Sequence, residues 1–495
     1  MQVNYKIKTK PYAHQVEALD RSVDKESFGF FMEMGTGKSK VLIDTIAYLG
    51  SQAINPLDRV EFALIIAPKG VYRNWINKEI PEHFSDEIAH TVCHWQANHT
   101  KTYRDKVRAF FNSRDLGVKI FVMNVEAFSS AKGKKAGEWM AEKFGRFGLI
   151  AIDESTTIKN HKAKRTKSLL KIAEKFKYRR LLTGSPVTKS PMDLYSQFQF
   201  LDPSILGYDS YYAFQGRFAV LQKRTMGAHS FQQILGYKNL EELTDKIAPF
   251  TYRVLKKDCL DLPDKTYTVR HVPLTMEQIR MYKELQEFAI TLLEHDKLVS
   301  TPQMITQMLR LQQVLSGHVK TDEGELLQLP TQRLAALMDC IEEVSGKIII
   351  WSRFRYDIVN IRNELANVYG SDSVVSYYGD TSDQDRQIAI DRFQDGNARF
   401  FVANPATAGY GLTLTEANTV IYYANDFNLE TRIQSEDRCH RIGQKNPVTY
   451  IDLIADGTID EKIVKALRDK IDIGARVLGE EAREWLKLTP KSQAV

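Results

Sequence analysis

Only four cysteines are spread through 495 residues, at Cys93, Cys259, Cys340 and Cys439, and no two form a CxxC pair. That scarcity argues against thiolate zinc sites and a disulfide framework, and the expectation is of reduced thiols in a cytosolic compartment. No apolar run is long enough to cross a bilayer, and the N-terminal residues lack a secretory apolar region. A strong excess of one charge is missing too, since the formal net charge is only +6. What remains is ordinary for a globular protein, with 43% hydrophobic and 26% charged residues. A chain of 495 residues is expected to divide into several domains.

Short apolar runs alternate with polar segments of helical spacing through both halves. Examples run from Phe62 to Ile66, Lys119 to Val122, Ile348 to Ile350 and Phe400 to Val402. Such runs, bounded by helices, predict an α/β protein whose parallel sheets are covered on both faces.

Three segments carry chemistry. An apolar run from Phe28 to Phe31 enters Met32-Glu33-Met34-Gly35-Thr36-Gly37-Lys38-Ser39, and Lys40 to Ile46 leaves it with helical spacing. A strand, a glycine turn and a helix start make a phosphate cradle. The glycines let backbone N–H groups approach phosphates, Lys38 reaches the β and γ oxygens, and the Ser39 hydroxyl can ligate magnesium. The strict pattern would also have glycine where Met32 stands. Next, the apolar strand from Phe147 to Ile152 ends in Asp153-Glu154. An acidic pair at the carboxyl end of a buried parallel strand is where magnesium and the attacking water are held. Asp153 is expected on the metal, and Glu154 is expected to polarise the water. Last, Arg438 and Arg441 sit three apart among Gln434, Asp437, His440 and Gln444. If helical, that spacing puts both guanidiniums on one face, where planar charge suits a phosphoryl group in transfer. Each segment alone has a bland reading. Three parts in the correct order point to an ATPase site.

At this point the chain resembles the ATPase motor of the Swi/Snf-type DNA translocases, in superfamily 2 of the helicases, over nearly its whole length. Pro11, Tyr12 and Gln15 resemble the adenine-reading segment of that family. Ile65 to Lys69, continuing through Arg73 to Asn74-Trp75, resembles a motif that touches the DNA backbone, and Met123 to Glu126 sits where the next such motif belongs. Leu181 to Pro186 resembles the segment that couples hydrolysis to movement, with Asp193 to Tyr195 following. In the second half Leu262 to Lys265, Ile348 to Phe354, Tyr378 to Thr381, Ala408 to Leu414 and Gly457 to Ile463 match in order. The family usually has a histidine two places after the acidic pair, where this chain has Ser155 and Thr156. A usual glycine is Ala408, and a usual asparagine is Thr413.

The resemblance implies a role for each matching position. Gln15, Gly35, Thr36, Gly37, Lys38 and Ser39 are expected to bind ATP, and Ser39 and Asp153 to hold magnesium. Catalysis is expected from Lys38, Asp153, Glu154, Arg438 and Arg441. Coupling falls to Thr183, Gly184, Ser185, Gly409, Gly411 and Gln434, and DNA contact to Lys69, Arg73, Asn124, Arg353 and Thr413. The implied fold is α/β, with two tandem RecA-like domains at 1–202 and 263–495 and a small, mainly helical insertion at 203–262. In that insertion Tyr208, Tyr211, Tyr212, Phe214, Phe218 and Phe231 crowd together. They read either as a protrusion toward DNA or as a helical subdomain with its own aromatic core, and we adopt the second. A basic run from Lys159 to Arg180, and a smaller cluster at Lys132, Lys134 and Lys135, read as phosphate-neutralising patches.

The expected activity is ATP-driven translocation on double-stranded DNA without processive strand separation, with ATP and Mg2+ as cofactors. A motor that unwinds, anneals or remodels forks, and an ATP-gated DNA clamp, are the alternatives. No membrane partner is expected. The chain is expected to act as a monomer on DNA, in the cytoplasm of a prokaryote or viral host or in a nucleus, with a protein partner supplying targeting.

Overall fold

Every residue of Ser27–Met32, Phe62–Ala67 and Gly148–Asp153 is buried, which is what apolar runs flanked by helices require of central parallel strands. The computed structural model describes residues 5–464, apart from 52–53, 70, 114–116, 188–189, 227–228, 260–262, 296–300, 321–324, 409–411, 427 and 462. The chain divides into two compact units, the first built mainly on residues up to 261 and the second mainly on those after it.

The first unit contains β1 (Ser27–Met32), β2 (Phe62–Ala67), β3 (His90–His94), β4 (Val118–Asn124), β5 (Gly148–Asp153), β6 (Tyr178–Leu182), β7 (Ala219–Met226), β8 (His229–Tyr237) and β9 (Thr251–Val254). Seven of these form one sheet in the order β3-β4-β2-β5-β6-β1-β9, and every pairing is parallel. Parallel register sends all carboxyl ends to one edge. Ala67 stands opposite Asn124, Asp153 opposite Leu182, and Met32 opposite Val254. The loops leaving that edge carry the phosphate turn, the acidic pair and the Thr183 turn.

The second unit is built on β10 (Lys265–His271), β11 (His318–Lys320), β12 (Leu326–Gln328), β13 (Lys347–Ser352), β14 (Val374–Tyr377), β15 (Phe400–Ala403), β16 (Ala417–Ala424) and β17 (Val448–Ile454). Six form a second parallel sheet, in the order β10-β17-β16-β13-β15-β14. Successive side chains of a strand face opposite sides. Ile348 and Ile350 accordingly join one apolar core with Phe400 and Val402, while Ile349 and Trp351 join the other with Phe401 and Ala403. Two doubly covered parallel sheets are the expected α/β architecture.

The segment 203–262 differs from the expected helical subdomain. It holds the helices Pro203–Leu206, Tyr211–Phe218 and Leu240–Ile247, but also the β7–β8 hairpin, and its last strand β9 completes the first sheet beside β1. Its aromatics do not make a separate core. Phe214 and Phe218 are fully buried in the cluster that contains Phe198 and Phe200, with Tyr208 and Tyr211 packed against it. A segment of about sixty residues is marginal on its own, and here its apolar side chains are sunk into the larger neighbour. Tyr212 stays exposed, and the side chain of Phe231 lies outside the described residues.

Candidate active site

The turn after β1 needs its glycines. Gly35 and Gly37 adopt φ of 80° and 86°, the left-handed region that side chains disfavour. A Cβ on Gly37 would also lie 2.1 Å from Gln15 Nε2. The fully buried Thr36 donates its hydroxyl to the Glu33 carbonyl at 2.7 Å. Its own carbonyl accepts from Gln15 Nε2 at 3.0 Å and from His14 Nε2 at 2.8 Å. Gln15 Oε1 accepts the Tyr12 N–H at 2.9 Å, so both ends of this amide tie the Pro11-Tyr12 segment to the turn. Lys38 opens the helix Lys38–Gly50 and is buried, with Nζ reaching back to the Glu33 carbonyl at 3.4 Å. Ser39 follows it half-buried in the first helical turn, where backbone N–H groups lack intrahelical partners.

Asp153 ends β5, and both of its oxygens are engaged. Oδ2 accepts the indole N–H of Trp75 at 2.9 Å, and Oδ1 accepts the Glu154 N–H at 3.0 Å. Burial pushes this carboxyl above its ordinary range; the Trp75 bond and the Lys38 charge oppose that shift, while Glu79 adds to it. Glu154 is held at φ 51°, and the only other non-glycine residue with positive φ among the described residues is Asn239. The strand register sets Thr183 beside this pair. Thr183 is fully buried, its N–H donates to the Phe30 carbonyl at 3.1 Å, and its hydroxyl accepts the Ser185 N–H at 3.2 Å. Gly184 backs onto the phosphate turn, where a Cβ would lie 3.0 Å from the Met34 nitrogen.

In the second unit the helix Leu429–Glu436 stops before the arginines, so they do not share a helical face. Asp437 to Cys439 form turns, and the chain reverses through Gly443 at φ 100° ahead of Pro447. The two guanidiniums converge nonetheless. Arg438 Nη1 and Arg441 Nη1 both donate to the Leu412 carbonyl, at 3.3 and 3.1 Å, and Arg438 Nε donates to the Gln434 carbonyl at 2.9 Å. Gln434 is buried in the same helix. Gly409 and Gly411 lie outside the described residues.

Residues 19–319 match the SNF2-related domain, and residues 332–443 match the helicase conserved C-terminal domain. The chain belongs to the SNF2-related family. It is a helicase-like ATPase of that family. An uncharacterized ATP-dependent helicase of Mycoplasma pneumoniae is 26% identical over 95% of this chain and 42% of its own length. The putative ATP-dependent helicase/translocase YwqA of Bacillus subtilis is 26% identical over 92% of this chain and 46% of its own. The TATA-binding protein-associated factor MOT1 of Saccharomyces cerevisiae is 27% identical over 68% of this chain and 20% of its own. The chain thus spans less than half of these curated relatives. A solved SWI2/SNF2 ATPase core of Sulfolobus solfataricus in complex with dsDNA is 26% identical, covering 99% of this chain and 97% of that one, at a TM-score of 0.41.

The DNA-contact positions expected of an SNF2-related chain fall in two places. Lys69 and Arg73 are exposed just past β2, and Asn124 ends the neighbouring β4, its Nδ2 donating to Glu126 at 3.1 Å. Arg353 is instead engaged within the second unit, bonding Gln312 Oε1 at 2.9 Å and Asp426 at 3.3 Å. Thr413 is half-buried between Leu412 and Leu414, and Ala408 is fully buried in the apolar core. Much of the basic run is also internally paired. Lys171 meets Glu138, Lys175 meets Glu142 and Lys177 meets Asp58. Arg180 is fully buried on backbone carbonyls, where burial lowers its guanidinium to about 10. Exposed charge remains at Lys162, Lys164 and Lys167.

Sequence reasoning missed three parts of the site. The sequence places Trp75 only in a DNA-backbone motif and gives no sign of its bond to Asp153. The Glu33 carboxylate accepts the Lys256 N–H at 2.8 Å, fastening the exit of β9 to the phosphate turn. Gln197 is buried behind the acidic pair and bonds Ser155 at 2.6 Å. No local pattern signalled any of them, because each partner is remote in sequence.

Proposed function

We propose that this ATPase drives translocation along double-stranded DNA without processive strand separation. The observation that best supports this reading is the shared edge of the first sheet. The Lys38 turn, the Asp153–Glu154 pair and the Thr183 turn leave that edge beside the strand ends that carry Lys69, Arg73 and Asn124. This reading puts nucleotide chemistry and DNA-backbone contact on neighbouring strand ends of one sheet. In this reading Lys38 and the glycine turn hold the phosphates, Glu154 orients the attacking water, and Arg438 and Arg441 stabilise charge on the phosphoryl group in transfer. Gln15 bears on nucleotide through the phosphate turn it fastens. Asp153 and Ser39 suit magnesium: each Asp153 oxygen keeps a lone pair beyond its bond from Trp75 or Glu154, and both donors are hard oxygens. The bound ion would neutralise phosphate charge. The working form is assigned as a monomer on DNA with targeting supplied by a protein partner, which sedimentation of the chain with a duplex checks.

The test compares ATP turnover with duplex DNA, single-stranded DNA and RNA across a salt series, beside Lys38→Ala and Glu154→Gln. Duplex should stimulate most, and log affinity should fall linearly with log salt as counterions are released. Both variants should fold and fail to turn over, with Glu154→Gln still binding ATP. Equal stimulation by RNA overturns the substrate, and efficient opening of a forked duplex favours the unwinding alternative. Normal turnover in Glu154→Gln overturns the site.

A further inference from the structure

Glu154 is followed by a short helical turn, Ser155–Ile158, that is pinned at both ends by one helix, Leu194–Leu201. At its start the Ser155 hydroxyl donates to Gln197 Oε1 at 2.6 Å, and at its end the Ile158 carbonyl accepts the Ser196 hydroxyl at 2.6 Å. Ser155, Ser196 and Gln197 are all fully buried. Gln197 Nε2 donates onward to the carbonyls of Pro186 at 2.7 Å and Asp193 at 2.8 Å. Two carbonyls against one end of the amide fix which end is nitrogen, so its oxygen is the group that faces Ser155. Glu154 itself has φ 51° and ψ 65°. A residue with a side chain persists there only where its surroundings over-determine it.

We propose that Gln197 is a positioning residue that, through Ser155, holds Glu154 in its left-handed conformation and ties it to the Thr183–Pro186 turn. An apolar pair of the same shape would fill the space equally well. What the hydrogen-bonded pair adds is a fixed distance between the acidic pair and the turn beside it. A shift of Pro186 then reaches Glu154 through two side chains, Gln197 and Ser155. This inference rests on the reading of Glu154 as the residue that orients water.

The test measures kcat, nucleotide affinity and melting temperature in the full chain for Ser155→Ala, Gln197→Met, the double variant and Ser155→Thr. Each of the first two should lower kcat by roughly tenfold to a hundredfold, the scale of a small misplacement at a reacting centre, with nucleotide affinity nearly unchanged. The double variant should lose no more than the worse single one, because both break one link. Ser155→Thr keeps a hydroxyl and should recover part of the loss. Ser155→Ala removes one oxygen and decides the matter even if Gln197→Met does not fold. Normal kcat in Ser155→Ala, or losses that multiply in the double variant, would overturn the link. If Glu154→Gln is inactive while Ser155→Ala turns over normally, only this inference fails; if Glu154→Gln turns over, the reading of the site beneath it fails as well.

Discussion

The indole nitrogen of Trp75 donates to the Asp153 carboxylate at 2.9 Å, joining two buried residues 78 positions apart. The geometry comes from a π-helical turn, Trp75–Glu79, closed by the Ile80 N–H on the Trp75 carbonyl. Such turns are rare and recur at functional sites. Asn74 Nδ2 bonds Glu79 Oε1 at 2.9 Å and holds the turn from the side that carries Lys69 and Arg73. The segment expected to touch DNA is thereby one hydrogen bond from the carboxylate expected to hold metal.

Trp75→Phe removes the donor and also leaves part of the indole's space unfilled at a fully buried site. Hydrogen bonds to charged groups contribute about 1.5–3 kcal/mol, so the denaturant midpoint should fall accordingly and turnover should fall with it. An unchanged midpoint would mean that the bond carries no weight.

Arg438→Ala and Arg441→Ala should reduce turnover far more than ATP affinity. An arginine acting on a transferring phosphoryl group is worth on the order of a thousandfold or more in rate. Lysine should rescue poorly, since it lacks the planar fork. Arg438 also bonds the Gln434 and Leu412 carbonyls, so its alanine variant should be the less stable of the two. Affinity losses as large as the turnover losses would place the arginines in ground-state binding instead.

Arg333 is buried against Asp460 and donates to the Tyr423 carbonyl at 2.6 Å. Arg333→Met strands that carboxylate and should cost about 3–5 kcal/mol, whereas adding Asp460→Leu should recover much of the loss. Denaturant unfolding of these two variants beside the parent distinguishes an ion pair that matters from one that merely fills space.

Glu436 gives the second unit an acid sensitivity. It bonds Arg432 at 2.8 Å and Tyr267 at 2.7 Å, with Lys265 at 3.4 Å. Burial works against its charge, but Lys265 and Arg432 outweigh it and hold the carboxyl below its ordinary 4.5. The folded state therefore binds this proton more weakly than the unfolded chain does. Its stabilisation is complete above the ordinary value and is lost as pH falls through the folded one. Stability measured from about pH 6 down to about pH 3 should fall less steeply in Glu436→Gln. An identical slope would assign the acid sensitivity elsewhere.

What the amino-acid order determined unaided was local. Continuous apolar runs bounded by helical spacing point to doubly covered strands, Gly35 and Gly37 to a turn before a helix, and Asp153-Glu154 to a strand end. Those features depend on neighbours within a few residues. The spacing of Arg438 and Arg441 would share a face only in a helix, and a run of turns brings them together where no helix continues. Composition misled in the basic run, where Glu138, Glu142 and Asp58 answer Lys171, Lys175 and Lys177. The aromatics of 203–262 gave no sign of which core they would enter. Tertiary structure alone decided that Trp75 meets Asp153, that Gln197 meets Ser155 and that Lys256 meets Glu33. Each of those bonds depends on strand order, which sets distant segments side by side. No periodicity along the chain encodes which strand will lie next to which.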